Sequence, residues 1–123
     1  MTTDIRPLAG LRVVEMTHMI MGPSCGMFLG MLGAEVIKVE PPGGDLLRRL
    51  GGQSKSGSLS PKFMNLNRNK RSLAIDMKAP GANAVMGKLL ETSDVVVTNM
   101  RPDALKRLGL DYETAKQKRP DII

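Results

Sequence analysis

Two apolar, β-branched segments on either side of a glycine-rich segment constrain the fold more than any other feature. The first, Leu11–Met16, and the second, Val36–Val39, are apolar apart from isolated charges. Such segments are typical of parallel strands that are buried on both faces of a sheet. The segment between them predicts a helix over about Ser24–Leu32, which Gly33 ends. Two parallel strands joined by a helix form a right-handed βαβ unit, and ligands of such sheets lie beyond the carboxyl ends of the strands.

Strand and helix signals alternate along the rest of the chain. They predict, in order, a strand at 72–76, a helix at 82–90, a strand at 95–98, a helix at 102–108, and a helix from Asp111, as its N-cap, to about 119. Residues 43–62 are rich in Gly, Pro and Ser and predict a flexible loop. Residues 121–123 look like the opening of a further strand, so we expect the chain to be the front part of a longer protein. The fold class is therefore α/β, with an incomplete, Rossmann-like parallel sheet of βα units.

Composition limits the classes of partner. The net charge of +6 is compatible with nucleic acid, an acidic membrane surface or a phosphorylated small molecule. One Tyr, two Phe and no Trp offer almost no surface for base stacking, so nucleic acid is not the expected partner. The uncharged stretch 17–34 approaches the length of a membrane span, but Pro23 and four glycines interrupt it, so we expect no membrane association. The presence of only one cysteine, Cys25, is compatible with a reducing cytoplasm. We expect Cys25 to be a small, buried side chain.

The loops that follow the strands are the first candidates for a binding site. They comprise Thr17–Gly22, Pro41–Asp45, Met77–Gly81 and Asn99–Arg101, which we expect on one edge of the sheet. Lys78 and the nearby Arg107 bring positive charge to this edge. His18 fits either a loop hydrogen-bonder or a catalytic base, and Ser24 is a candidate N-cap of the first helix.

A dinucleotide site is a rival interpretation. A glycine-containing turn follows the first strand, and Glu40 at the end of the second could bond a ribose. The turn reads THMIMGPSCG, however, and lacks the GxGxxG spacing that allows close approach to a pyrophosphate. No group of His, Cys or carboxylate residues has the spacing of a metal site or of a catalytic constellation. The dinucleotide interpretation, and with it an NAD-dependent oxidoreductase, is therefore the weaker one.

Three separated runs carry a more specific signal. They are PLAGLRVVEMTHMIMGPSCGMFLGMLGAEVIKVEPPGGD, NLNRNKRSLAIDMK and DVVVTNMRPDALKRLGLDYE. In order and spacing they resemble the N-terminal region of the family III (CaiB/BaiF) CoA-transferases, which include formyl-CoA transferase, carnitine CoA-transferase and α-methylacyl-CoA racemase. The resemblance implies that residues 1–123 form the N-terminal part of a large, CoA-binding Rossmann-like domain. It also implies acyl-CoA and a carboxylic acid as substrates, no tightly bound cofactor, and an interlocked homodimer of the full-length protein.

The resemblance further implies which residues contact coenzyme A. They are His18, Met19 and Ile20 towards the thioester, Ile75 and Lys78 beside the nucleotide, Asn99 and Met100 after a strand, and Arg107 at a phosphate. Two positions depart from the formyl-CoA transferases, which carry glutamine in place of Ile20 and a basic residue in place of Pro41. These departures argue against oxalate and formate as substrates.

The family's catalytic aspartate is expected beyond Ile123, so the resemblance implies no catalytic residue in this chain and no activity for the chain alone. An acyl-CoA racemase of the same family and a stand-alone, non-catalytic nucleotide-binding module are the alternatives.

Overall fold

The computed structural model describes residues 5–52, 55 and 59–123. The strands are β1 (Arg12–Met16), β2 (Glu35–Glu40), β3 (Lys70–Ala74) and β4 (Val95–Thr98). The helices are α1 (Met21–Met31), α2 (Pro61–Leu66), α3 (Ala82–Glu91), α4 (Pro102–Leu108) and α5 (Tyr112–Lys118), with a 3-10 helix at Leu46–Arg48.

All four strands form one parallel sheet in the order β3-β2-β1-β4. In the register of the sheet, Val13 of β1 lies between Val36 of β2 and Val95 of β4. The prediction of a parallel α/β sheet is therefore confirmed. Ile123 lies beside β4, since its N–H donates to the Asp94 carbonyl at 3.0 Å and its carbonyl accepts from Val96 N–H at 2.8 Å. This alternation is the hydrogen-bond pattern of a parallel ladder, as expected for the opening of a further strand.

The two faces of β1 are buried against different helices. Val14 packs on one face with Met86 and Leu90 of α3 and with Ala115 of α5. Val13 belongs to a smaller cluster on the other face, and Leu29 of α1 packs against that cluster. This arrangement places the sheet between two helical layers, as the apolar character of both faces of β1 requires.

Two local predictions about α1 are wrong. The helix begins at Met21, so Ser24 lies in its first turn and is not the N-cap; its hydroxyl donates to the Ile20 carbonyl at 2.7 Å. Cys25 is exposed rather than buried. The reason is that α1 turns its glycine-bearing side, with Gly22 and Gly26 both buried, towards the sheet, which leaves Cys25 on the outer side.

The other boundaries lie close to the expected ones. Strand β4 and helix α4 have the predicted limits, whereas β3 begins and ends two residues earlier than predicted. Asp111 caps α5, as predicted, by accepting a hydrogen bond from Thr114 N–H at 3.3 Å. The loop predicted at 43–62 contains the 3-10 helix and the start of α2, and residues 53, 54 and 56–58 of that prediction lie outside the described residues. Among the helices that the structure describes, none is long and apolar enough to cross a bilayer.

Candidate functional site

A cavity of about 310 Å³ lies where the strands end. Because the strands are parallel, their carboxyl ends meet at one edge of the sheet, and residues at or after the ends of all four strands line the cavity. Most of the lining is apolar, and it includes Met16, Val39, Ile75, Met77, Met100 and Leu108. The polar side chains of the lining are His18, Glu40, Asp76 and Lys78. An apolar cavity with a few polar groups is the usual form of a small-molecule site.

Glu40 is the buried carboxylate of this cavity. Its Oε1 accepts hydrogen bonds from the Asp45 amide at 3.0 Å and from Arg48 Nε at 3.1 Å, and its Oε2 lies 2.5 Å from Arg48 Nη2. Burial raises the pKa of Glu40, but the hydrogen bonds from Arg48 and from the Asp45 amide outweigh burial and hold this pKa below its usual value. Glu40 is therefore ionised at neutral pH, and Arg48 compensates its charge.

Lys78 is the cationic residue of the lining. Its side chain is exposed, and its backbone N–H donates to Asp76 Oδ1 at 2.9 Å, which shapes the turn after β3. Arg48 already matches the Glu40 charge, and the exposed Asp76 is the other carboxylate of the lining. Lys78 is the lining side chain that can attract an anionic group of a ligand.

The structure brings together half of the eight predicted contact residues. Those that line the cavity are His18, Ile75, Lys78 and Met100. Met19, Ile20 and Asn99 belong to the two loops beside it but are not among the lining residues. Arg107 is exposed on α4 and does not line the cavity, although Leu108, its neighbour in sequence, does.

Several lining residues were missed by the sequence analysis. Met16 is the last residue of β1, and Val39 is the next-to-last residue of β2. Both line the cavity, but their apolar side chains indicated only that they lie in the core. Their position at a strand end was a usable signal, because the last residues of a parallel strand border the ligand edge. Leu108 has no such signal, since its place in the cavity depends on how α4 packs against the sheet.

A cluster of buried charges lies beneath the loop that joins β1 to α1. Lys38 Nζ lies 3.1 Å from Glu15 Oε1 and 3.4 Å from Asp45 Oδ2, and it donates to the Thr17 carbonyl at 3.0 Å. Lys70 Nζ lies 2.7 Å from Glu15 Oε2. Burial lowers the pKa of Lys70, and the hydrogen bond and charge of Glu15 oppose this effect.

The side chains of Glu15, Lys38, Lys70 and Asp45 are at most 2% exposed, so these charges are paired with one another and are not available to a ligand. Nothing in the local sequence distinguishes Lys70 from the exposed Arg68 and Arg71 beside it.

The part of the chain that the structure describes contains no group of three His, Cys, Asp or Glu side chains suited to a metal ion. The chemistry that the site offers is thus an apolar cavity for a ring or an alkyl group, with a cation at its lining for an anionic group.

Comparisons with known proteins identify the family of the chain. Residues 8–123 match the sequence profile of a family described as CoA-transferase family III. The chain is 40% identical over 119 residues to the (R)-2-hydroxy-4-methylpentanoate CoA-transferase of Clostridioides difficile. The aligned region covers 94% of this chain and 30% of that protein. It is 39% identical over 120 residues to the human succinyl-CoA:glutarate CoA-transferase, with 98% of this chain and 27% of that protein covered.

The fold is also similar to solved structures. A CaiB/BaiF family protein from Brucella suis superposes with a TM-score of 0.90 at 36% sequence identity, over 98% of this chain and 32% of that one. The chain therefore spans less than a third of the length of the relatives named here.

Proposed function

Because the chain belongs to CoA-transferase family III, we propose that it supplies the coenzyme A-binding portion of an enzyme that moves CoA between an acyl-CoA thioester and a carboxylic acid. The observation that carries the proposal is the apolar cavity at the carboxyl edge of the sheet, with Lys78 in its lining. The faces of the adenine ring and the alkyl segments of pantetheine suit apolar contacts, whereas the phosphates of CoA are anionic, so one ligand would satisfy both properties of the site.

The proposed ligand contacts follow from the arrangement of the loops. Ile75 and Met100 offer apolar surface for the adenine ring, and Lys78 offers an ammonium group for a phosphate. Arg107 is exposed on α4, next in sequence to the lining residue Leu108, and we propose that it contacts a second phosphate. The loop that carries His18, Met19 and Ile20 would then approach the thioester end of the ligand.

We assign no catalytic residue within this chain. The proposed role is to bind and orient CoA. The family resemblance implies that the carboxylate that exchanges CoA between acids lies in a part of the family's chains that this sequence does not cover. The cytoplasmic location and the interlocked homodimer remain predictions from the sequence.

The acyl donor and the acceptor acid are left open. The two similar CoA-transferases described above differ in the substrates that their names give: a 2-hydroxy acid for the Clostridioides difficile protein, and succinyl-CoA with glutarate for the human protein. The proposal is therefore limited to transfer of CoA between carboxylic acids. No feature of the described residues favours the racemase or the stand-alone module over this reaction.

Isothermal titration of the chain with CoA tests the proposal. We expect Lys78→Ala and Arg107→Ala each to weaken CoA binding about tenfold, because each removes one charge-assisted hydrogen bond to a phosphate. Lys88→Ala is the matched control, since it removes an equal charge from an exposed position on α3, away from the cavity lining. It should leave the affinity unchanged.

Three outcomes decide between the interpretations. Loss of affinity in the Lys78 and Arg107 variants alone supports the site as described. Equal affinity in all variants would show that CoA binds elsewhere. Binding of NAD in place of CoA by the unsubstituted chain would favour the oxidoreductase alternative.

A further inference from the structure

Both polar atoms of the Asn99 side chain are bonded to the backbone of one residue. His18 N–H donates to Asn99 Oδ1 at 3.1 Å, and Asn99 Nδ2 donates to the His18 carbonyl at 3.1 Å. The two residues are 81 positions apart in the sequence. Asn99 therefore joins the loop after β4 to the loop between β1 and α1. Its side-chain amide bonds both the N–H and the carbonyl of His18, as the backbone of a neighbouring strand would.

The loop that Asn99 holds has an uncommon backbone conformation. Met19 has a φ of +68°, which is rare for a residue with a side chain. Such conformations persist where the surroundings fix them, and they concentrate at binding and catalytic sites.

Side chains from other elements bond the residues on both sides of His18. Lys38 donates to the Thr17 carbonyl at 3.0 Å, and the Met19 N–H lies 3.5 Å from Asp45 Oδ1, at the outer limit of a hydrogen bond. The loop is thus held at three successive residues by β2, by the segment after β2, and by the loop after β4.

We propose that Asn99 is a positioning residue that fixes the loop of residues 17–20 in its ligand-binding conformation before CoA binds. This inference rests on the proposed function. Because its two polar atoms are already used, the Asn99 side chain acts on the ligand through His18, which lines the cavity. A loop that is ordered in advance does not have to be ordered when the ligand binds, which favours affinity.

Asn99 also allows the cleanest test among the residues that hold the loop. Lys38 and Asp45 are buried in the charge cluster, so their replacement would disturb the sheet itself. Asn99 is exposed, and its described side-chain hydrogen bonds go to His18 alone. Asn83→Ala, at an exposed position of α3, is the matched control.

The test compares hydrogen exchange of backbone amides, measured by NMR without ligand, with CoA affinity measured by titration. In Asn99→Ala we expect the His18 amide to exchange about tenfold faster, while Val14 and Val96 in the sheet keep their protection. CoA affinity should fall in the same variant. Asn99→Asp should also lose affinity, because a carboxylate cannot donate to the His18 carbonyl.

The outcomes separate this inference from the proposed function. Unchanged exchange at His18 in Asn99→Ala, or an affinity of the Asn99→Asp variant equal to that of the unsubstituted chain, would overturn the positioning role. Faster exchange with unchanged CoA affinity would overturn it as well, because the loop would then not bear on the ligand. If the unsubstituted chain does not bind CoA, the proposed function fails, and with it the ligand-binding role of the loop, whereas the exchange data still decide whether Asn99 holds His18.

Discussion

Two glycines of α1, one turn apart, should respond in opposite directions to the same substitution. A Cβ atom on Gly26 would lie 1.8 Å from Glu15 Oε2 and 3.3 Å from Lys70 Nζ. Glu15 is 0% exposed, so its carboxylate has no solvent to move into and would have to leave Lys70 or Lys38. Gly26→Ala should therefore disrupt the buried charge cluster.

The expected magnitude follows from three terms. Overpacking a buried site costs about 1–3 kcal/mol. Weakening a buried ion pair adds to this, and complete loss of one partner costs about 3–5 kcal/mol. Alanine in place of glycine in a helix stabilises the folded state by about 1 kcal/mol, which partly offsets these costs. Because Glu15 keeps part of its contacts, we expect Gly26→Ala to lower the free energy of unfolding by about 3 kcal/mol.

Gly30 is the matched control within the same helix. A Cβ atom there would lie 3.6 Å from Val36 Cγ2 and 3.9 Å from the nearest atoms of Asn69, which are ordinary van der Waals distances. Gly30→Ala should therefore raise the free energy of unfolding by about 0.5–1 kcal/mol, since alanine loses less backbone entropy than glycine on folding.

Urea denaturation of the three proteins, with the midpoint and the slope fitted together, measures both changes. The two variants should differ by about 4 kcal/mol. If Gly26→Ala is as stable as Gly30→Ala, the Glu15 carboxylate is free to move, and the argument for a rigid charge cluster beneath the loop is wrong.

Two further perturbations test the electrostatics and the capping. Arg48→Met should lower the free energy of unfolding by about 2 kcal/mol at neutral pH, because it leaves the buried Glu40 carboxylate without its main partner. The folded-state pKa of Glu40 lies below its ordinary value of 4.5, so its stabilisation is present above that pH and is lost as the pH falls through the folded-state pKa. The difference between Arg48→Met and the unsubstituted chain should thus shrink in urea titrations below pH 4.5, and a constant difference would contradict the assignment. Asp111→Ala should cost about 1 kcal/mol in the same assay, because it removes the N-cap of α5. An unchanged midpoint would show that the last helix contributes little to the cooperative unit.

The sequence alone determined most of the local structure. The limits of β4 follow from a run of β-branched residues, and the start of α4 follows from Pro102. The start of α5 follows from Asp111, whose side chain accepts a hydrogen bond from the first turn of that helix. These signals act between residues a few positions apart, so they can be seen in the sequence itself. The parallel α/β class followed from the same local signals, because both predicted strands of the βαβ unit are apolar on both faces.

The tertiary structure decided which residues meet. Burial of Lys38 on β2 and of Lys70 on β3 requires Glu15 from β1, which neighbours β2 but not β3. The bond between Asn99 and His18 joins positions 81 apart. These contacts depend on the strand order β3-β2-β1-β4, which places β4 and β2 on either side of β1. A charged side chain is buried only when its partners arrive from other elements, so no local pattern distinguishes Lys70 from its exposed neighbours or shows that Asn99 would hold the loop of the binding site.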